Sequence, residues 1–505
     1  MSTNKLSSFF SDPIRRFFSV ENILITGFCV FILIDILIPQ FGNNFERIPG
    51  DLTDARFNNY LLENGYSYLT GKSPVFWNAP FCYPEPDIIS WSDNFIGQLP
   101  LYSLFRVCGL DLQSAYQGWM LLTQILNFGI CAWVLFKFTR NKTAAMLGAF
   151  VFSFALPVYD QNYHSQMMAR YAIPLAFYFF IRFMKGEGPR NLFFLLMSVV
   201  LQFYLSIYLG FLLSLALCCT LFGYLLLNRK EIPFRNLFAL KQLKWYALYL
   251  AVSAGLLLML MKPYLVRSKQ SPPPPIEQVM SSLPEPGAYV LTSFNATSWR
   301  DLNRVPEGMI DFWNKFLFPG GLASLAVFIL LVILIRTGYV SLVTHPEQRL
   351  KLGMSLLAGF MLLFLFTLRV HQKSLYSFVY QIPGFNAMRD LCRVVNVQLF
   401  FYAAMVALLG GLLLEKIKRP WLRNAFTFLM LTGVVVDNAY DSAQAVTYSK
   451  ADSEARFMDI VEKVKSHPDY QKFEAMAYMP SDIRDFAGPK QLDAMLAAQY
   501  LHIKA

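Results

Sequence analysis

Two carboxylates three residues apart, Asp51 and Asp54, open the segment Pro49-Gly50-Asp51-Leu52-Thr53-Asp54-Ala55-Arg56. Carboxylates at this spacing serve as a general base on a hydroxyl or hold a cation. The same residues also suit the capping of a helix, because Asp and Thr accept from the free N–H groups of a first turn. Spacing alone leaves both readings open. Aromatic residues follow: Phe76, Trp77, Phe81, Tyr83, Trp91, Phe95 and Tyr102. Their faces suit sugar rings, and equally a belt at the level of lipid headgroups. Arg56, Trp77 and Tyr83 are therefore substrate-binding candidates, together with His164.

Three arginines are candidates for gripping a phosphate. Arg170 shares a short turn with His164, and Arg389 and Arg393 lie four apart, so a helix through both would show them on one face. A guanidinium holds phosphate in bidentate fashion, and His shuttles protons near neutral pH. The bland alternatives are a solvated turn for His164 and an anchor to anionic headgroups for the arginine pair. Gln202, Tyr204 and Tyr208 lie where a helix pair would turn, and read first as packing glue. Asp160, Asn162 and His164 are a thin set for a metal, so the sequence admits a divalent cation without fixing one. No C-x-x-C or H-E-x-x-H motif occurs among the seven Cys and five His residues. Cys82 and Cys108 share one loop and could pair only in an oxidising compartment.

The elements that position these residues are dictated by hydrophobicity. Of the 505 residues 55% are hydrophobic and only 15% are charged, against roughly 25% charged in soluble chains. The apolar residues fall in runs long enough to cross a hydrocarbon core, which takes about 20 residues of helix. About eleven spans are expected: 23–40, 114–138, 143–158, 171–184, 191–205, 208–227, 245–261, 322–335, 352–368, 394–414 and 421–439. The third and fourth carry Pro157 and Pro174, and the run through 191–227 is split near Ser206 because it is too long for one helix. Asp35 is the exceptional charge inside a span, suited to a helix contact. The net charge of +11 excludes a nucleic-acid partner here, because Lys and Arg sit in short segments between the apolar runs. Lys5, Arg15 and Arg16 precede the first run, which reads as an anchor and not a cleaved leader.

Charge also sorts the loops. Lys137, Arg140, Lys142, Arg182, Lys185, Arg190, Arg229, Lys230, Arg336, Arg349, Lys416 and Arg419 fall on one side, which the positive-inside rule makes cytoplasmic. The N-terminus is then cytoplasmic and the C-terminus extracytoplasmic. The outer loops 41–111, 262–321 and 369–393 carry the working surface of a membrane domain spanning 1–440. In the first loop, Phe57, Leu61 and Leu62 give a helix that would lie along the membrane surface. Residues 441–505 read as a small α/β extracytoplasmic segment: a helix over 456–464, a strand over 473–479 and a helix from Pro489 through Leu501. That unit stops without a capping element, as a fragment of a longer chain would.

The stretches PGDLTDARFNNYLLENGY (49–66), NAPFCYPEPDIISWSDNFIGQLPLY (78–102), HSQMMARYAIPLAFYF (164–179), FLFPG (316–320) and IPGFNAMRDLCRVVN (382–396) resemble the GT-C superfamily of polytopic membrane glycosyltransferases, in its bacterial branch. The resemblance covers most of 23–438, and only the first stretch bears on chemistry. It implies an all-α, GT-C-like polytopic fold in a bacterial inner membrane. It also implies a polyprenyl-phosphate sugar donor used on the outer face, with hexosyl or pentosyl transfer to a glycan, glycolipid or protein acceptor of the cell envelope. By the same resemblance Asp51 is the base on the acceptor hydroxyl, with Asp54 as second choice, since the Asp-Glu pair of some branches is absent. Arg170, Arg389 and Arg393 would hold the donor phosphate during an in-line, inverting displacement. Two other classes stay open: a transporter or flippase of lipid-linked saccharides, for which no inverted repeat stands out, and a non-catalytic scaffold for envelope assembly.

Overall fold

The computed structural model describes residues 19–161, 164–237, 239–305, 309, 312–343, 347–442, 445–479 and 488–505. Lys5, Arg15, Arg16 and Asn162 lie outside the described residues.

A helix stands at each of the eleven expected positions. The first, α1, runs Val20–Phe31 and continues through a π-helical stretch, Ile32–Leu37, into a short turn at Pro39–Phe41. The first outer loop then supplies β1 (Arg47–Pro49), α2 (Asp54–Leu69) and α3 (Leu99–Val107). The bundle resumes with α4 (Leu112–Thr139) and α5 (Lys142–Phe154). Ala155 is extended, and Pro157 sits in the first turn of the short α6 (Leu156–Asp160), where its missing N–H is not needed. Next come α7 (Ala172–Met184), α8 (Arg190–Leu205), α9 (Ile207–Asn228) and α10 (Leu240–Gln270). The split at Ser206 is real: its backbone is extended between α8 and α9. The bundle closes with α11 (Gly321–Val343), α12 (Gln348–Thr367), α13 (Val395–Lys416) and α14 (Pro420–Asp437).

Nine of the described helical segments are long and apolar enough to cross a membrane, and the chain is an integral membrane protein. Of the others, α8 is shorter, and α14 is less apolar, opening with Arg423 and Asn424 and ending on Asp437. Helix α13 is central and buried along most of its length. Helices α9 and α12 pack closely, because Gly223 and Gly359 leave room: a Cβ on Gly223 would lie 2.8 Å from the Gly359 nitrogen. Small residues permit this approach where packing, not water exclusion, joins helices.

Direct contacts sort the helix ends into two groups. At one end Arg349 donates to the Thr139 carbonyl and pairs with Glu415, while Lys142 and Thr143 donate to Asn22 and Glu21. At the other end Asp93 of the first loop caps α9, Asp437 accepts from Gly321 N, and Asn396 donates to Gln161. All of the sequence's candidate site residues belong to this second group.

Several expectations are corrected. The apolar stripe of α2 packs against protein: Leu61 and Leu62 are buried in a second apolar cluster with Phe81, Phe95, Tyr102 and Trp119. Three of the expected belt aromatics, Phe81, Phe95 and Tyr102, are thereby core residues. Residues 473–479 form no strand; Ala475 makes a single bridge to Lys504. The 441–505 segment packs against the first loop. Its strand β2 (Thr447–Ser449) pairs antiparallel with β1, and its helices α15 (Lys450–Lys465) and α16 (Pro489–Leu501) place Phe457, Val461, Leu492 and Met495 in that same cluster. Asp35 is exposed in the π-helical stretch and not packed in a helix contact. Cys82 and Cys108 are both free and exposed.

Candidate functional site

Gly50 turns the chain from β1 toward α2 at φ +108°, a conformation that only glycine adopts cheaply. The turn brings Asp51 over the start of the helix. Its Oδ1 accepts from Ala55 N at 3.1 Å and its Oδ2 accepts from the Thr53 hydroxyl. Both oxygens are thus engaged in holding the helix start. Asp54, the first residue of α2, points elsewhere: its Oδ2 lies 3.1 Å from His164 Nδ1, with side-chain exposures of 52% for Asp54 and 14% for His164. The hydrogen bond with His164 holds the Asp54 carboxyl below its ordinary value; burial opposes this and the Arg393 charge assists. One turn along α2, Asn58 Nδ2 donates to Ser165 Oγ at 2.9 Å and to Gln166 Oε1 at 2.8 Å. That anchor fixes the 164–167 turn against α2 and so sets the Asp54–His164 distance.

The cations approach from α13. Arg389 and Arg393 do not share a helical face, because Met388 and Asp390 are extended and the helical turn begins only at Leu391. Arg393 Nε lies 3.3 Å from Asp390 Oδ2, near enough for charge attraction but out of line for a hydrogen bond, and its guanidinium sits 4.8 Å over the Tyr208 ring. The Tyr208 hydroxyl accepts from Asp390 N at 2.6 Å. The Arg389 side chain is exposed and has no partner among the described residues. Arg170 is 1% exposed and lies deeper, donating to Asn396 Oδ1 at 3.3 Å, with Phe152 beneath its guanidinium at 5.1 Å. Asn396 in turn donates to Gln161 Oε1 at 2.6 Å, so a polar chain links Arg170 to the His164 turn. Asp160, Gln161, His164 and Asp390 line one narrow cleft with Trp313, Asn314 and Phe316.

Three candidates stand away from this cleft. Arg56 is buried against Asp493 at 2.7 Å and joins α2 to the C-terminal segment. Trp77 meets Tyr264 of α10 edge-on at 5.8 Å. Tyr83 is exposed; its N–H donates to the Ala505 carbonyl, and Lys504 lies over its ring. Gln202 donates to the Ala169 carbonyl and Tyr204 to the Leu256 carbonyl, which is packing glue.

Four further residues of the site were not read from the sequence: Asn58, Gln161, Asp390 and Asn396. Two carried a signal. Asp390 stands between two arginines, and Asn396 is a polar residue at the mouth of a strongly apolar span, a setting that favours function. Among the described residues no group of three or more His, Cys, Asp or Glu side chains is placed to hold a metal ion. No step is routed through a metal.

No family model matches the chain, and no curated protein matches it. Among solved structures, the chain is similar to the archaeal oligosaccharyltransferase AglB from Archaeoglobus fulgidus, in complex with an inhibitory peptide and a dolichol-phosphate. The TM-score is 0.44 and the identity 13%, over 86% of this chain and 57% of that one. The chain therefore spans little more than half of the AglB chain's length.

Proposed function

We propose that the chain is a membrane glycosyltransferase that moves a sugar from a polyprenyl-phosphate-linked donor to a cell-envelope acceptor at the outer face of a bacterial inner membrane. The observation that carries this reading is the convergence of the Asp54–His164 pair with the Arg393 charge at one end of the bundle. A carboxylate–imidazole pair is equipped to take a proton from an attacking hydroxyl. A guanidinium a short distance away is equipped to steady the negative charge that develops on a phosphate leaving group. The motif resemblance supports the same chemistry.

Within this reading the acceptor hydroxyl gives its proton to the Asp54–His164 pair as its oxygen attacks the anomeric carbon. The bond from that carbon to the phosphate oxygen breaks, and the lipid phosphate leaves with the electron pair toward Arg393 and the exposed Arg389. Asp54 replaces Asp51 as the first choice, because Asp51 already accepts two hydrogen bonds in shaping the helix start. Arg170 acts through Asn396 and Gln161 as a positioning residue, being too deep to touch a headgroup.

The test is sugar transfer from polyprenyl-phosphate donors to envelope acceptors by the purified protein in detergent. Asp54→Asn lowers transfer by roughly a hundredfold or more, the lower range of general-base effects. Asp51→Asn costs mainly stability. Equal transfer by wild type and Asp54→Asn removes Asp54 from this role.

A further inference from the structure

A cavity of about 320 Å³ adjoins the cleft just described. It lies among α1, the end of α5 and α6, residues 293–295, Trp313 and Phe316, and the end of α14. That volume is at the small end of ligand sites, roughly 300–1,000 Å³, and suits a short glycan end better than a broad macromolecular surface. Asp160, Trp313 and Phe316 line both spaces.

The walls of this cavity differ in kind from the cleft. Asp35 and Asp160 bring two carboxyl groups; Asn295 and Asn438 also line it, their amide nitrogens donating to the Tyr440 hydroxyl and the Val434 carbonyl. Among the described residues lining it there is no Lys, Arg or His. The Asp160 carboxyl hydrogen-bonds with Ser293, and its Oδ2 atom is buried without a hydrogen-bond partner among the described residues. Trp313 is 61% exposed, and its ring is held by Phe312 at 4.5 Å and Phe294 at 5.9 Å. It is an indole face presented and not packed away.

We propose that this cavity binds the acceptor, and that the acceptor's reacting end is a sugar ring bearing hydroxyls and no negative charge, either neutral or an amino sugar. The inference deepens the glycosyltransferase reading and rests on it for the word acceptor. Carboxyl groups accept from sugar hydroxyls, and an aromatic face packs against the C–H face of a pyranose ring. A cavity lined by carboxyl groups and no cation offers a uronate or a phosphorylated sugar no counter-charge. The phosphate of a donor is therefore excluded here and directed to the arginine side. Asp160 stands where a hydroxyl held in the cavity would face His164.

The experiment uses the full-length protein in a detergent without sugar headgroups. Saturation-transfer NMR is recorded with three probes: a methyl hexopyranoside, a methyl 2-amino-2-deoxyhexopyranoside and a methyl hexopyranosiduronate. The native protein gives signals for the first two that are at least fivefold stronger than for the uronate. Asp35→Asn with Asp160→Asn narrows that ratio toward unity. Trp313→Ala, a change at an exposed ring, weakens the neutral signal severalfold while thermal melting stays as in the native protein. Equal signals from the uronate, or an unchanged neutral signal in Trp313→Ala, overturn the proposal. Selective binding with no transfer from any polyprenyl-phosphate donor sinks the transferase reading and leaves the cavity's specificity standing. Transfer with an unchanged acceptor KM in Trp313→Ala does the opposite.

Discussion

Asp493 sits between two guanidinium groups. Arg56 approaches it at 2.7 Å and Arg456 at 2.6 Å, with Arg56 1% and Asp493 7% exposed. Apart from Asp493, Arg56 has only the Ser453 carbonyl among the described residues, at 3.5 Å. Truncating Asp493 to Ala strands a buried charge, which costs on the order of 3–5 kcal/mol. Arg456 is 37% exposed, and its removal costs about 1 kcal/mol or less, as for surface pairs. The expected result is a large fall in melting temperature and rapid proteolysis of the C-terminal segment for Asp493→Ala, with little change for Arg456→Ala. Equal effects would mean that Arg56 is neutralised by something else. This ion pair also explains what the sequence hid at this scale. Beside Asp54, Arg56 has the composition of a ligand-binding residue, and its true partner lies far along the chain, where no local pattern reaches. The pairing of Asp54 with His164 crosses the same kind of gap. The two residue types were legible, but which carboxylate was free to act was not, because Asp51 and Asp54 differ only in their hydrogen-bond partners.

Among the elements, α9 shows how the first loop is locked to the bundle. Its first turn begins after the extended Ser206, and its cap comes from another segment: Asp93 accepts from Ile207 N at 2.8 Å and from the Ser206 hydroxyl at 3.2 Å. The apolar run from 191 to 227 made the break legible, since one helix of that length overshoots a bilayer. The cap was not legible, because nothing in 88–95 marks Asp93 as buried. Burial pushes the Asp93 carboxyl up to about 6, against the hydrogen bond from Ile207 and the charge of Arg393. Its folded value thus exceeds the unfolded value of about 3.9. The sign follows: the folded state holds the proton more tightly, so this group's stabilising contribution is complete below about pH 4 and is lost as pH rises through about 6. Asp93→Asn keeps an acceptor for Ile207 N and removes the titration. Melting temperature measured from about pH 4.5 to 7.5 should fall for the wild type across the middle of that range, by more than for Asp93→Asn. Asp93→Ala, which loses the cap, should be less stable by about 1 kcal/mol at the acid end. Parallel profiles for wild type and Asp93→Asn would place the titration elsewhere.

At the scale of the whole molecule, one short ribbon constrains the path of the chain. β1 follows α1 and β2 follows α14, and the two are hydrogen-bonded partners, Ile48 opposite Tyr448. The first loop and the C-terminal segment therefore lie on one side, and the number of crossings between them is even. Ten bundle helices, α4, α5 and α7 to α14, lie between β1 and β2 among the described residues; leaving out α8 and α14, whose length or composition is marginal, keeps the number even. With α1 crossing, the total is odd in either case. The end defined by Arg349, Thr139 and Glu415 carries Lys137, Arg140, Lys416 and Arg419, the basic turns that the proposed orientation places in the cytoplasm. The apolar runs and the basic turns were legible early, because the spacing of apolar runs and the placement of Lys and Arg are local properties. The ribbon that fixes the parity was not, since it joins two three-residue strands across the full length of the chain. Cys82 and Cys108 make the orientation measurable, both being exposed and free on the side of the first loop. In intact cells a membrane-impermeant maleimide should label them without lysis, and the label should vanish in Cys82→Ser with Cys108→Ser. A cysteine introduced by Lys230→Cys in that background should react only after the membrane is opened. Labelling in the reverse order would turn the molecule over. The Asp54–His164 pair would then face the cytoplasm, and a donor used on the outer face would be ruled out whatever the chemistry of the site.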